Sequence, residues 1–223
     1  MKILVTGACG FIGSHLVEKL VKKGHQVKAM TFYNARNSHG WINHLNKNII
    51  KNIQIVHGDI RDQEFLMPAS KKVDVVIHLA ALIGIPYSYK AIKSYIDTNI
   101  IGTYNILQAS LKNNVQKVIQ TSTSEVYGNI NFSDKFSEKS FQYAQSPYAA
   151  TKISSDQLSN SYFSSFDLPV TILRPFNTYG PRQSERAIIP TVINQILNNK
   201  KKLKLGNLYA SRDLNYIKDT IQG

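Results

Sequence analysis

The chain runs to 223 residues, 43% hydrophobic and 18% charged; it can bury a full core, is too apolar for a disordered segment, and suits one domain or a domain plus a fragment. No apolar run approaches the roughly 20 residues that span a bilayer, and Gly7, Gly10 and Gly13 break the apolar start too early for a signal peptide. The net charge of +13 is spread over scattered lysines, dense only at Lys200, Lys201, Lys202 and Lys204. No zinc-finger spacing, aromatic RNA-binding motif or continuous basic helix accompanies it, so neither nucleic acid nor a membrane is expected as a partner. The single cysteine, Cys9, rules out an intrachain disulfide and fits a reducing cytoplasm.

An apolar run at Lys2–Thr6 predicts a first strand, and residues 11–23 follow with helical spacing at Ile12, Leu16 and Leu20. A second strand is expected over 27–32 and a third over Ile53–His57, with an Asn-rich surface excursion, 34–52, between them. Residues 73–79 form a nearly continuous β-branched run, as in a strand buried on both faces of a parallel sheet. One long helix is expected over 91–113, with Ile92, Ile96, Ile100, Thr103 and Leu107 on a common side. Strands at 115–122 and 169–174 flank a helix beginning at Ser146 and Pro147, where proline suits the first turn. A further strand is expected at 203–205 and a short element at 213–219. Such alternation implies an α/β fold with a doubly wound parallel sheet and right-handed crossovers.

Gly7, Gly10 and Gly13, with Phe11 and Ile12 between the last two, lie where the first strand meets the first helix. A dinucleotide needs glycine there for a tight turn, for close approach of the backbone to its pyrophosphate, and for close packing of helix on sheet. Asp59 and Ile60 follow the third strand, where a carboxylate suits the adenine amino group and an apolar neighbour the ring; Asp59 suits a helix N-cap equally well. Leu79, Ala80 and Ala81 end the fourth strand with a small-residue approach to the cofactor, and His78 before them is expected as a core histidine. No acid follows the second strand, and Arg36 suits either a 2′-phosphate or solvent, so NAD and NADP both remain open.

Tyr148 and Lys152 are four residues apart on one helical face, so hydroxyl and ammonium point into the same cleft, and a cation there favours the phenolate of a general base. Thr123, Ser124 and Glu125 lie just past the fifth strand, at the sheet edge where open α/β folds bind ligand. A hydroxyl there can share the proton Tyr148 exchanges. A carboxylate there has separate acid/base work only if a carbon acid must lose its proton, as in elimination of water; otherwise it is a structural glutamate.

Taken together, these motifs, with Asn99, the run Arg174 to Arg182 and the pair Arg212 and Asp213, resemble the extended short-chain dehydrogenase/reductase family of NAD-dependent epimerases and dehydratases. The resemblance implies a Rossmann domain over 1–180 and an incomplete, truncated substrate lobe over 181–223. It implies Asn99 at the cofactor, Lys152 on its ribose, and Asn177, Arg182 and Arg212 on the diphosphate of a nucleotide-sugar substrate. The triplet Thr123, Ser124, Glu125 is similar to that of the 4,6-dehydratases, and 79–89 with Phe32, Tyr33 and Asn34 resembles the N-acetylglucosamine-nucleotide enzymes of legionaminic acid synthesis. In such enzymes Tyr148 would take the C4 hydroxyl proton, Thr123 would bridge, and Glu125 would remove the C5 proton. Ser124 stands where some relatives carry an acid, which leaves protonation of the C6 hydroxyl to Glu125. The resemblance also implies a homodimer through 91–113 and 146–166, with no metal. A UDP-glucuronate decarboxylase, a 4-epimerase and an inactive nucleotide-binding protein remain as alternatives.

Overall fold

The computed structural model describes residues 1–129, 135–206, 209 and 211–223. In chain order, β1 (Lys2–Thr6), α1 (Phe11–Lys22) and β2 (Gln26–Thr31) lead into a 3-10 turn (Gly40–His44) and α2 (Lys47–Lys51). Then come β3 (Ile53–His57), α3 (Gln63–Ala69), β4 (Val75–His78), α4 (Ile85–Ser88) and α5 (Ile92–Tyr95). A π-helical segment (Ile96–Ile101) joins α5 to α6 (Gly102–Lys112), and β5 (Lys117–Thr121) enters a second 3-10 turn (Ser124–Tyr127). The chain continues with α7 (Pro147–Phe166), β6 (Val170–Leu173), β7 (Asn177–Tyr179), α8 (Ile188–Leu197), β8 (Leu214–Tyr216) and α9 (Ile217–Thr220).

Six strands form one sheet in the order β3-β2-β1-β4-β5-β6, every pairing parallel. Alternation along β1 splits the core into two layers. Leu4 faces Met30, Val76 and Val118 with Leu66, Ile106 and Leu107 from α3 and α6, whereas Ile3 and Val5 face Val27, Ala29 and Ile77 with Val17 from α1. Both faces are therefore covered, as continuous β-branched strands require. The order reverses between β1 and β4, so the crevice at their C-terminal ends is the expected ligand site. β7 and β8 form a separate parallel pair.

Several expectations need correction. Residues 34–52 are not a surface excursion, because Ile42, Leu45 and Ile49 are buried in the α1 layer. Their spacing of three and four is helical, but it is split between a 3-10 turn and a one-turn helix and so does not stand out among asparagines. The helix over 91–113 is three pieces. An extra residue in a π turn rotates everything beyond it by roughly 100° about the axis. Ile92 before the segment and Ile96 at its first position are exposed, while Thr103 and Leu107 after it are buried. No strand forms at 203–205, and 213–219 divides between β8 and α9. No helix among the described residues is long and apolar enough to cross a membrane.

Candidate active site

The turn after β1 is tight because it must be. Gly7 sits at φ +66°, and a Cβ there would lie 2.8 Å from the amide nitrogen of Ala80 on the neighbouring strand end. A Cβ on Gly13 would lie 2.2 Å from the carbonyl oxygen of Gly7. Gly10 caps α1 with no side-chain bond, so the amides of Phe11, Ile12 and Gly13 are presented at an undecorated helix N-terminus. That cradle fits the pyrophosphate of a dinucleotide: a bare backbone surface, positive at the helix end, with the backbone of Leu79 and Ala80 close beside Gly7.

Thr6 and His78 hold this crevice together. The Thr6 hydroxyl oxygen accepts from the amides of Leu79 at 3.2 Å and Ala80 at 3.1 Å. Both lone pairs are then used, so its hydrogen donates to His78 Nδ1 at 2.7 Å. His78 is thereby fixed as the neutral tautomer carrying its proton on Nε2, which faces the Thr103 hydroxyl at 3.4 Å. Complete burial pushes the His78 pKa down to about 3, with the Lys152 charge adding to the effect. It is a core residue, as the sequence implies.

Asn99 lies behind the segment that follows β4. Its two amide hydrogens go to the Leu82 carbonyl at 2.9 Å and the Thr151 hydroxyl at 3.0 Å, and its oxygen accepts from the Leu82 amide. It is 1% exposed, so its effect on the crevice runs through the 79–82 segment. The π turn leaves the Asn99 carbonyl to accept the hydroxyls of Thr103 and Ser155.

Beyond the end of β3, Asp62 caps α3 and the N-cap reading of Asp59 falls away. The Asp59 carboxylate instead pairs with Arg61, which holds its pKa below the usual carboxylate value. Ile60 beside it is buried in the core. At the end of β2 the Thr31 hydroxyl meets His57 Nδ1 at 2.9 Å, and Arg36 is exposed on a turn organised by the Asn34 side chain.

The catalytic candidates converge. α7 starts at Ser146, whose hydroxyl accepts from the Ala149 amide at 3.1 Å, and Tyr148 and Lys152 then face inward together. Lys152 Nζ donates to the Thr121 carbonyl at 2.6 Å. Burial lowers its pKa to about 8, with the Asp156 carboxylate partly offsetting the effect. The Thr123 side chain eases ionisation of Tyr148 and the Glu125 carboxylate opposes it. Burial dominates and pushes Tyr148 up to about 12. This corrects the expectation that Lys152 alone pulls the phenol toward neutrality: with Nζ turned to Thr121, desolvation wins. Thr123 also accepts from the Glu125 amide at 3.2 Å, which sets the 3-10 turn carrying Ser124 and Glu125.

Substrate-side candidates are less gathered. Pairing of β7 with β8 brings Asn177 against Leu214, close to Arg212 and Asp213 in the chain. The Arg182 guanidinium contacts α1, donating to the Ser14 hydroxyl at 3.3 Å and to Glu18 at 2.9 Å. Arg212 is exposed and donates to the adjacent Ser211 carbonyl. Sequence reasoning missed Tyr95, which packs edge-on to the Tyr148 ring at 6.3 Å and donates to the Gly84 carbonyl. It also missed Asp156, although that residue continues the Tyr148, Lys152 spacing of four. A concavity of about 690 Å³ at the opposite, N-terminal edge of the sheet, lined in part by Lys2, Lys28, Lys71 and Lys72, takes no part in this site.

The sequence model of the family described as GDP-mannose 4,6 dehydratase matches residues 4–223. The dTDP-D-glucose 4,6-dehydratase of Dictyostelium discoideum is 37% identical over 99% of the chain, and the chain spans only 54% of that relative's length. The UDP-N-acetyl-alpha-D-glucosaminuronate decarboxylase of Bacillus cytotoxicus is 36% identical over 99% of the chain and 69% of the relative. Among solved structures, the UDP-glucuronic acid 4-epimerase of Bacillus cereus, in complex with UDP-glucuronic acid and NAD, superposes with a TM-score of 0.88. Its identity is 35%, over 100% of this chain and 71% of the epimerase.

Proposed function

The chain belongs to the NAD-dependent epimerase/dehydratase family of extended short-chain dehydrogenases/reductases, and on that premise we propose that it serves a nucleotide-sugar 4,6-dehydratase acting on an N-acetylglucosamine nucleotide. The observation that carries this reading is Glu125 on the turn that Thr123 caps, directly beyond the end of β5, where the Thr121 carbonyl accepts from Lys152, four residues past Tyr148 on α7. Oxidation at C4 uses a hydroxyl pair such as Tyr148 and Thr123; a carboxylate beside them adds the base that loss of water from C5 and C6 demands.

In this reading Tyr148 takes the C4 hydroxyl proton, with the Thr123 hydroxyl bridging the transfer. Its burial keeps it protonated until a further positive charge enters the crevice. Lys152 supplies part of that charge and binds the cofactor ribose. The turn at Gly7, Gly10 and Gly13 would hold NAD, which when bound would add a positive charge to the crevice, accept hydride from C4 and return it to C6. Glu125 takes the proton from C5, made acidic by the C4 ketone, and gives it to the C6 hydroxyl as it leaves as water; the proton that Tyr148 took from the C4 hydroxyl balances the one C5 regains as C6 is reduced. Asn177, Arg182 and Arg212 would hold the diphosphate, for which guanidinium forks are suited. NAD rather than NADP is supported by the epimerase solved with NAD.

We also propose that residues 1–180 and 181–223 act as cofactor and substrate lobes, and that the protein is a cytoplasmic homodimer. The dimer proposal draws on exposed Ile92, Ile96, Ile101, Phe163 and Phe166 on α5, the π segment and α7; sedimentation should show a species of twice the chain mass.

The functional test is incubation with NAD and UDP- or GDP-N-acetylglucosamine, with products followed by mass spectrometry. Loss of water is expected, falling about 10²–10⁴-fold in Glu125→Gln while C4 oxidation persists. Loss of carbon dioxide from UDP-glucuronate, or a mere change of configuration at C4, would replace the dehydratase reading with a decarboxylase or an epimerase.

A further inference from the structure

Asp156 is completely buried on α7, eight residues beyond Tyr148 and four beyond Lys152, and the mechanism above gives it no task. Its Oδ2 accepts from Arg174 Nε at 2.9 Å, with a longer contact from Gln142 Nε2 at 3.4 Å, and its Oδ1 has no partner among the described residues. Arg174 leaves the end of β6, and its other arm donates to the Tyr127 hydroxyl at 3.0 Å while the guanidinium lies 5.2 Å from the Tyr127 ring centre. Tyr127 is the last residue of the 3-10 turn that carries Glu125. The entry to that turn is tied to the same exit of β6, through the Ser122 amide to the Leu173 carbonyl at 2.7 Å and the Ser124 amide to the Pro175 carbonyl at 3.2 Å.

A buried ion pair is weak evidence of stabilisation, because desolvating both charges offsets most of their attraction. What this pair does is directional. An Arg fork has fixed geometry, so a carboxylate on one arm aims the other. We propose that Asp156 is a positioning residue: through Arg174 and Tyr127 it locks the turn bearing Glu125 to the helix bearing Tyr148 and Lys152, fixing the separation of the two proton-transfer groups. This inference rests on the dehydratase reading for its chemical consequence and on the ion pair and hydrogen bonds alone for its structural one.

The test combines Asp156→Asn, Tyr127→Phe and the double variant. Tyr127→Phe keeps the ring, its stacking on Phe136 at 5.0 Å and the cation above it, removing only the hydroxyl, so it guards against misfolding of the charge variant. Hydrogen exchange of the cofactor-free chain should quicken about tenfold at the amides of 123–128 in each single variant, with α7 protection kept in Tyr127→Phe. In single turnovers water loss should slow about tenfold relative to hydride transfer, and the double variant should be no worse than Asp156→Asn. Unchanged exchange at 123–128, equal slowing of both steps, or additive effects would overturn the relay. Faster exchange as expected, in a chain whose wild type releases no water from any nucleotide sugar, would uphold the relay and overturn the dehydratase reading.

Discussion

Lowering the pH from 7 to 5 should cost the fold about 2 kcal/mol through His78 alone. Its Nδ1 accepts the only hydrogen of Thr6, whose lone pairs are committed to Leu79 and Ala80. A proton on Nδ1 would therefore face an oxygen with no acceptor site left. The ring's pKa falls from the ordinary 6.5 to about 3. Between those values the unfolded chain binds a proton that the folded chain refuses, so stability rises with pH and is lost as pH falls from 6.5 toward 3. Integrating one proton over that window gives about 2 kcal/mol between pH 7 and pH 5, or about 1 M in urea midpoint at a slope of about 2 kcal/mol per molar. Urea titrations of the wild type and His78→Asn at both pH values isolate the effect, since all carboxylates titrate alike in the two proteins. The variant should show a smaller pH dependence by that amount. Equal pH dependence in the two, or an imidazole resonance at pH 7 reporting the proton on Nδ1, would refute the reasoning.

Three further outcomes are expected. Gly13→Ala would drive a methyl into the Gly7 carbonyl at 2.2 Å; it should cost about 1–3 kcal/mol in chemical unfolding and abolish NAD binding in calorimetry. Ser146→Ala removes the acceptor for the Ala149 amide and should cost about 1 kcal/mol, with a modest loss of turnover because the same turn places Tyr148. Lys152 charges less readily in the fold, where its pKa is about 8 against 10.5, so its cost to stability is present below pH 8 and is relieved as pH rises toward 10.5. Lys152→Met should accordingly remove that rise in unfolding curves between pH 8 and 10, while eliminating turnover.

The sequence by itself determined the sheet, because two-sided burial writes β-branched runs such as 73–79, and it determined the nucleotide turn, because only glycine tolerates the approaches at positions 7 and 13. The pair Tyr148 and Lys152 was equally legible, since helical spacing alone puts residues four apart on one face. Tertiary structure decided what depends on residues distant in the chain. It buried Ile42, Leu45 and Ile49, it broke the helix at 96–101 where Asn99 and Ser155 meet, and it tied Asp62 rather than Asp59 to the start of α3. It also reversed the expected effect on Tyr148, because desolvation depends on everything packed around the ring and a neighbouring cation helps only where its Nζ points. Asp156, Arg174 and Tyr127 come from three different elements. No local pattern marks them as partners; only the folding of β6 between α7 and the Glu125 turn brings two charges and a phenol into a single chain of hydrogen bonds.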